Sequence, residues 1–574
     1  MLTISRKFIL WATLLSGFFC SRSAFTQNFA DLYFHNGSIV TVDDAVPHVE
    51  AVAVAEGKIL AVGSHGELQH LIGESTRVVD LQGRLLIPGF IEGHGHFMGL
   101  GQSRMMLDLT SAESWEEIEE MVIEAAKTTE RGKWIIGRGW HQSKWTSPPA
   151  NHVGGYPTSK RLDETVPDHP VMLPHASGHM NFANAYAMQL AGVTDDTANP
   201  NGGEILRDES GKATGAFRST AQTFITGAFA RDERRITPEE RGKLDARAIQ
   251  LAVEESLRKG VTSFHDAGST FAMVRALKDA ADRGDLKVRL YVMIRESNDM
   301  LSAQLSRYKM IDYANQFLTV RALKVSIDGA LGPHGAWLLA PYEDLPSSVG
   351  LNTVSLEATR RTAEIAIEND FQLCIHAIGD RANREVLNIY EETFARFPTK
   401  DGRRWRIEHA QHLHPDDIPR YGKLGVIASM QGIHCTSDAI FVLQRLGVRR
   451  AAEGAYVWQK LMNSGAVVTN GTDAPVEDLN PIPSFYASVT RRLKDGSQFF
   501  PEECMTREQA LRSYTLACAY SAFEEEAKGS ITPGKLADLV VLSTNIMVCD
   551  AEEILDAKVD MTIVGGDVLY ERIE

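Results

Sequence analysis

Eight short apolar, β-rich runs separated by stretches of helical character constrain this chain more than any other feature. They cover residues 85–92, 261–265, 288–294, 320–327, 372–375, 405–408, 426–430 and 466–472. Strands that alternate with helices favour a parallel α/β architecture over a sandwich, because parallel neighbours need a crossover connection. Eight is the number that closes a (β/α)8 TIM-like barrel, whose active-site groups gather at the carboxyl ends of the strands.

The first two runs lie about 165 residues apart, far more than one crossover needs, so a large insertion after barrel strand 1 is expected at about 100–250. Within it Ser114 and Glu117 predict a capping box for a helix running to about Thr129, and 134–140 and 171–175 read as strands. Thr237 and Glu240 open a second capped helix that ends near Gly260. Both chain ends carry the same material, short alternating strands with Gly punctuation at 30–37, 51–57, 535–542 and 561–566. A composite β-sandwich domain from 24–86 plus 531–574 is therefore expected beside a barrel over 87–530. A chain of 574 residues is long enough for both.

At the N-terminus Arg6 and Lys7 precede an apolar stretch, 8–19, and then the small, polar 21–24. That order predicts a secretory signal over 1–23 and export to the periplasm or medium. The stretch is too short to span a bilayer, so no stable membrane span is expected once the signal is removed. Removal takes the formal charge from −16 to about −19, and so acidic a body repels nucleic acid. Five cysteines then remain, at 374, 435, 504, 518 and 549, with no CxxC pair, so neither a disulfide framework nor a zinc knuckle is indicated.

The chemistry sits at the strand ends. His94-Gly-His96 follows an apolar strand, and alternate residues there can turn toward one ion. By itself an HxH pair is weak evidence. Lys324 lies near the end of the fourth run and His376, His409 and Asp473 follow three others, which makes chance placement improbable. Imidazole nitrogens with a carboxylate suit Zn2+ or another borderline divalent ion, one or two per chain, with a position left open for water. An ion there would acidify that water and polarise a carbonyl, with Asp473 as general base. Trp140 and Asp328, which follow strands, are candidate substrate contacts.

Several segments resemble the amidohydrolase superfamily, in its amidohydrolase-3 branch with the N-substituted formamide deformylases. They are Pro88-Gly-Phe-Ile-Glu-Gly-His-Gly-His96, His376-Ala-Ile-Gly-Asp380, Ile407-Glu-His409, Asn470-Gly-Thr-Asp-Ala-Pro475 and Gly529-Ser-Ile-Thr-Pro-Gly-Lys-Leu-Ala-Asp-Leu539. The resemblance spans nearly the whole mature chain. It implies that His94, His96, His376, His409 and Asp473 match metal and catalytic positions, and that His179 and His434 are further candidate substrate contacts. It also likens Lys324 to a strand-four lysine that many relatives carboxylate to bridge two ions. A free ammonium cannot ligate a cation, so a Lys324 that stays charged would instead imply a mononuclear site. Glu92-Gly93 departs from the commoner wording, which has Asp and a small polar residue.

The implied activity is hydrolysis of a non-peptide C–N bond in a small amide, N-acyl or cyclic amide substrate. Ester or carbamate cleavage and deamination use related ligands. A metal-dependent isomerase or lyase, or an inactive exported binding protein on the same fold, are readings of other classes. Metal identity and homo-oligomerisation stay open.

Overall fold

The eight runs become eight parallel strands of one sheet in the computed structural model, which describes residues 29–142, 145–175, 180–398 and 402–573. The expected signal segment and His179 lie outside the described residues. In barrel order the strands are β1 (Phe90–Gly95), β2 (Val261–Ser269), β3 (Arg289–Ile294), β4 (Leu318–Ser326), β5 (Gln372–Ala377), β6 (Arg406–His409), β7 (Ile427–Ser429) and β8 (Val468–Thr469). Each pairs in parallel with its sequence neighbour from β1 to β8. All six residues of β3 are buried, as strands covered on both faces must be.

The ring is nearly closed. No regular ladder joins β8 to β1, but backbone bonds from Gly93 N to Asn470 O (3.0 Å), Asp473 N to His94 O (2.8 Å) and His96 N to Ala474 O (2.7 Å) stitch the seam. Gly93 permits that approach, since a Cβ there would stand 2.3 Å from Asn470 O. The seam thus holds His94, His96 and Asp473 together through the main chain.

The first run, 85–92, does not act as one strand. Leu85–Pro88 joins a sheet built from the chain ends, and only Phe90–Gly95 enters the barrel. Pro88 has no N–H to continue a ladder, and at Gly89 a Cβ would lie 2.2 Å from the Thr262 hydroxyl oxygen.

The sheet of the chain ends has eight strands: Asp567–Glu571, Val559–Val564, Leu539–Leu542, Leu85–Pro88, Leu32–Val40, His48–Ala55 and Lys58–Gly63 in order, with Arg77–Asp80 on Leu32–Val40. Period-2 alternation splits its duties. Leu32, Phe34, Val52, Val54, Leu86, Leu539, Val541 and Ile563 form a core of its own. Leu85, Ile87, Val540, Leu542 and Val564 join the barrel's core. A buried pair, Arg289 to Asp538 at 2.7 and 3.1 Å, adds a charged tie between barrel and sheet.

Between β1 and β2 stands a six-stranded sheet ordered Gly203–Arg207, Ala213–Ser219, Met180–Ala183, Val171–Pro174, Ile135–Arg138 and Leu107–Asp108. Thr237 and Glu240 form the full capping box of helix Pro238–Arg258. Ser114 caps Trp115–Thr128, but the Glu117 carboxylate reaches back one residue further, to Glu113 N at 2.9 Å. Arg138 at the end of its strand donates to Pro475 O (3.4 Å), which brings the inserted sheet to the seam. Among the described residues no helix is long and apolar enough to cross a membrane, and the five cysteines are free.

Candidate metal centre

At the carboxyl end of β1 the alternating pattern turns His94 and His96 toward the same point. Their ring centroids are 5.9 Å apart and edge-on. Asp473 meets them from beyond β8, its Oδ1 3.2 Å from His96 Nε2 and 3.6 Å from His94 Nε2. One ligating atom from each of the three residues falls within a 4.8 Å cluster. Lys324 Nζ, from β4, is 3.4 Å from His94 Nε2. The His409 ring stands 4.7 Å from that of His94, and the His376 ring 4.4 Å from His409. Lys324, His376, His409 and Asp473, read from four separate runs, thus surround the HxH pair.

The donor set fits a divalent ion on grounds independent of motif. Asp473 Oδ1 and His376 Nε2 are buried and make no well-formed hydrogen bond, although burying such atoms unpaired is costly. His94 Nδ1 bonds the acceptor-only Glu408 carboxylate, so Nδ1 carries the proton and the Nε2 lone pair faces Asp473. His409 Nδ1 likewise donates to Gln431 Oε1 at 2.7 Å. Both rings are thereby held in the tautomer that presents Nε2 as a ligand.

Electrostatics agree with that assignment. Burial, with Lys324 adding, holds the His94 imidazole down to about 4, and burial with His376 and His94 nearby keeps His409 well below its usual range. Both rings are therefore neutral near pH 7. Burial pushes Asp473 up, but the adjacent His96 ring and the His94 charge outweigh it and leave an anion. Burial brings Lys324 down to about 8, against the pull of Glu408 and Asp473. Neutral ligands, a carboxylate and a readily deprotonated amine suit a dication.

Backbone strain is found at the site as well as elsewhere in the molecule. His409, Ala410 and Asp473 have φ of 72°, 42° and 58°, in the left-handed region that side chains seldom occupy. At His409 this interrupts strand alternation, so adjacent Glu408 and His409 both serve the site.

A fully buried charge network lies beneath. Arg406 donates to Glu408 (2.6 and 2.9 Å), Gly93 O (2.7 Å) and Ser429 Oγ (2.7 Å) and lies 3.1 Å from His265 Nδ1. Burial opposes the Glu408 charge, yet Arg406 and His94 hold the carboxyl well below its usual range. Glu92 receives Thr472 N at 2.6 Å and the Thr472 hydroxyl at 3.1 Å, a side-chain staple across the seam. None of Arg406, Glu408 and Glu92 was singled out from sequence for these roles. Arg406 and Glu408 alternate within an otherwise apolar run, which signals two charges turned to one face.

The candidate substrate contacts fare differently. His434 begins the helix that follows β7, stacks over His409 (centroids 6.3 Å, 11° between planes) and has an unpaired buried Nε2. Asp328 instead spends its carboxylate on the backbone N–H groups of Trp337 (2.9 Å), Ile378 (3.0 Å) and Gly379 (2.8 Å), and lies 3.4 Å from His376 Nε2. It fixes the turn that follows His376. Trp140 is buried in the inserted unit, stacked on Trp145 with its indole N–H on Leu173 O (2.8 Å), so its ring is committed to packing.

Beside the site, His412 is buried with Nδ1 unpaired, and burial holds it down to about 3. Its folded value lies below its ordinary 6.5, so the unfolded chain takes the proton first. Stability from this group is complete above the ordinary value and is lost as pH falls toward the folded one, at about 1 kcal/mol per pH unit. Denaturation at about pH 7 and about pH 5 should show a shallower loss in His412→Gln than in wild type.

Residues 77–570 match the family model described as "Amidohydrolase family". The chain is 34% identical over 557 residues to the protein LONG AFTER FAR-RED 3 of Arabidopsis thaliana, covering 94% of this chain and 92% of that one. It is 27% identical over 554 residues to N-substituted formamide deformylase of Arthrobacter pascens, covering 94% and 98%. Among solved structures, a metal-dependent hydrolase from Pyrococcus horikoshii superposes with a TM-score of 0.73 at 26% identity, over 91% of this chain and 99% of that one.

Proposed function

The chain belongs to the amidohydrolase family, and from that premise we propose that it is an exported hydrolase that cleaves a non-peptide C–N bond in a small amide-like substrate. The observation that carries this is the convergence of His94, His96 and Asp473 from opposite sides of the seam, with an unsatisfied carboxylate oxygen between the histidines. His94, His96, His376, His409 and Asp473 would hold the divalent ion, for which zinc suits the donors. When bound, such an ion supplies Lewis acidity toward a carbonyl oxygen and acidifies water.

The chain's own residues then have distinct tasks. Asp473, an anion within reach of both histidines, takes the proton of the attacking water and returns it to the leaving nitrogen. Glu408 and Gln431 hold His94 and His409 in their ligating tautomers. His434 offers an imidazole edge to the substrate above His409. Lys324, with its lowered affinity for protons, supplies a neutral amine for carboxylation, which would make room for a second ion.

Around this centre we read 24–86 plus 531–574 as a composite β-sandwich domain and 87–530 as the barrel with its insertion. Arg6, Lys7 and the apolar 8–19 support export. The 27% identity to a formamide deformylase supports the C–N class over esters. Assay of purified mature protein on formamides, N-acyl amino acids and esters in 18O-labelled water tests the reading. Amide cleavage with one labelled oxygen entering the acid product is the expected result. An unlabelled product would point to an isomerase or lyase, and turnover of esters alone would remove the C–N assignment.

A further inference from the structure

The helix His434–Gly454 leaves the carboxyl end of β7 and carries a stripe of residues away from the metal centre. His434 and Asp438 stand at i and i+4, hence on one face and about 6 Å apart at Cβ. Phe441 continues the stripe, its half-buried ring against Gly332 in the loop that follows β4, where a Cβ would meet it at 3.2 Å. His434, stacked over His409, fixes the inner end of this line at the site.

Asp438 is half-buried and its two oxygens are used unequally. Oδ2 accepts from Tyr456 OH (2.6 Å) and from Gln411 Nε2 (2.9 Å). Gln411 lies two residues beyond His409, and Tyr456 N bonds its carbonyl at 2.9 Å. The carboxylate is therefore aimed by the strand end that presents His409. Oδ1 has no hydrogen-bond partner among the described residues, and no Lys or Arg among them pairs with Asp438. Arg445, further along the helix, is committed to Gly332 O (3.0 Å) and to Asp344. A carboxyl group is thus held next to His434 with one oxygen available, its charge countered by His434 and by no Lys or Arg among the described residues.

We propose that Asp438 is a specificity residue of this site and selects substrates that carry an amine nitrogen beyond the scissile bond, on the His434 side. The proposal rests on the hydrolase reading for which bond is cleaved, but not for which group is recognised. A purely structural Asp438, serving only Tyr456 and Gln411, would use Oδ2 and confer no such preference.

The test compares N-(4-aminobutyl)acetamide with N-pentylacetamide, which differ at the terminal group. Calorimetric binding to the metal-loaded mature chain is measured for both, with kcat/KM where turnover occurs, in wild type, Asp438→Asn and Asp438→Ser. A charge-assisted hydrogen bond predicts about tenfold tighter binding of the amino compound to wild type. Both variants should bring that ratio close to one, with the kinetic change in KM rather than kcat. No measurable preference in wild type, or a ratio that neither variant moves, overturns the proposal. Because the ratio compares two ligands on the same protein, general damage from a substitution does not imitate the expected result. If neither compound is hydrolysed, the amide-cleaving reading is weakened, while the binding ratio still decides the role of Asp438.

Discussion

Replacing Asp473 with asparagine should lower kcat by on the order of 10³-fold on any substrate the enzyme turns over. The side chain keeps its shape, and Asp473 N keeps its bond to His94 O (2.8 Å), so the seam is preserved. What is lost is the anion facing His96 at 3.2 Å, and with it the carboxylate of the cluster that takes and returns a proton at that point. An amide nitrogen or oxygen cannot do so. Kinetics with excess divalent ion, alongside a thermal melt, check this. Activity restored by added metal would reassign Asp473 from proton carrier to ligand alone.

The largest effect on stability is expected at Arg406. Both Arg406 and Glu408 are fully buried, and Arg406→Ala would leave Glu408 without its cationic partner and Gly93 O and Ser429 without the Arg406 donor. Breaking one partner of such a pair costs about 3–5 kcal/mol, far above an exposed ion pair. Denaturant unfolding followed by a probe in the barrel would measure it. Replacing Arg406 and Glu408 together by methionine should recover much of that loss, since no buried charge is left unpaired. The double variant should still bind metal about 10–100-fold more weakly, because His94 loses the acceptor on Nδ1. Metal affinity unchanged in the double variant would show that Glu408 does not orient His94.

The barrel was legible because parallel strands buried on both faces read as continuous apolar runs between Gly and Pro punctuation. Its ligands were legible because His94, His96, His376, His409 and Asp473 each follow such a run and Lys324 lies near the end of one. Positions within runs were harder. Periodicity alone did not break 85–92 at Pro88-Gly89, since all four residues of Leu85–Pro88 and all six of Phe90–Gly95 are buried, one set against the end sheet's neighbours and the other in the barrel. Arg406 and Glu408 have local spacing that shows a shared face, but their partners Gly93, His265 and Ser429 come from three other strands and exist only once the ring forms. Asp328 and Trp140 follow strands as ligands do, yet backbone donors consume one and aromatic packing the other. Strand-end position marks what can reach the site, and the unspent donors and acceptors mark what serves it.

Metal content by elemental analysis, on mature protein and on the His96→Ala/Asp473→Ala double variant, tests the metal centre most directly. At least about one divalent ion per chain in wild type, largely lost from the folded variant, is the expected result. A wild-type chain that holds no ion after reconstitution, or a variant that holds as much as wild type, would contradict a metal centre at His94, His96 and Asp473.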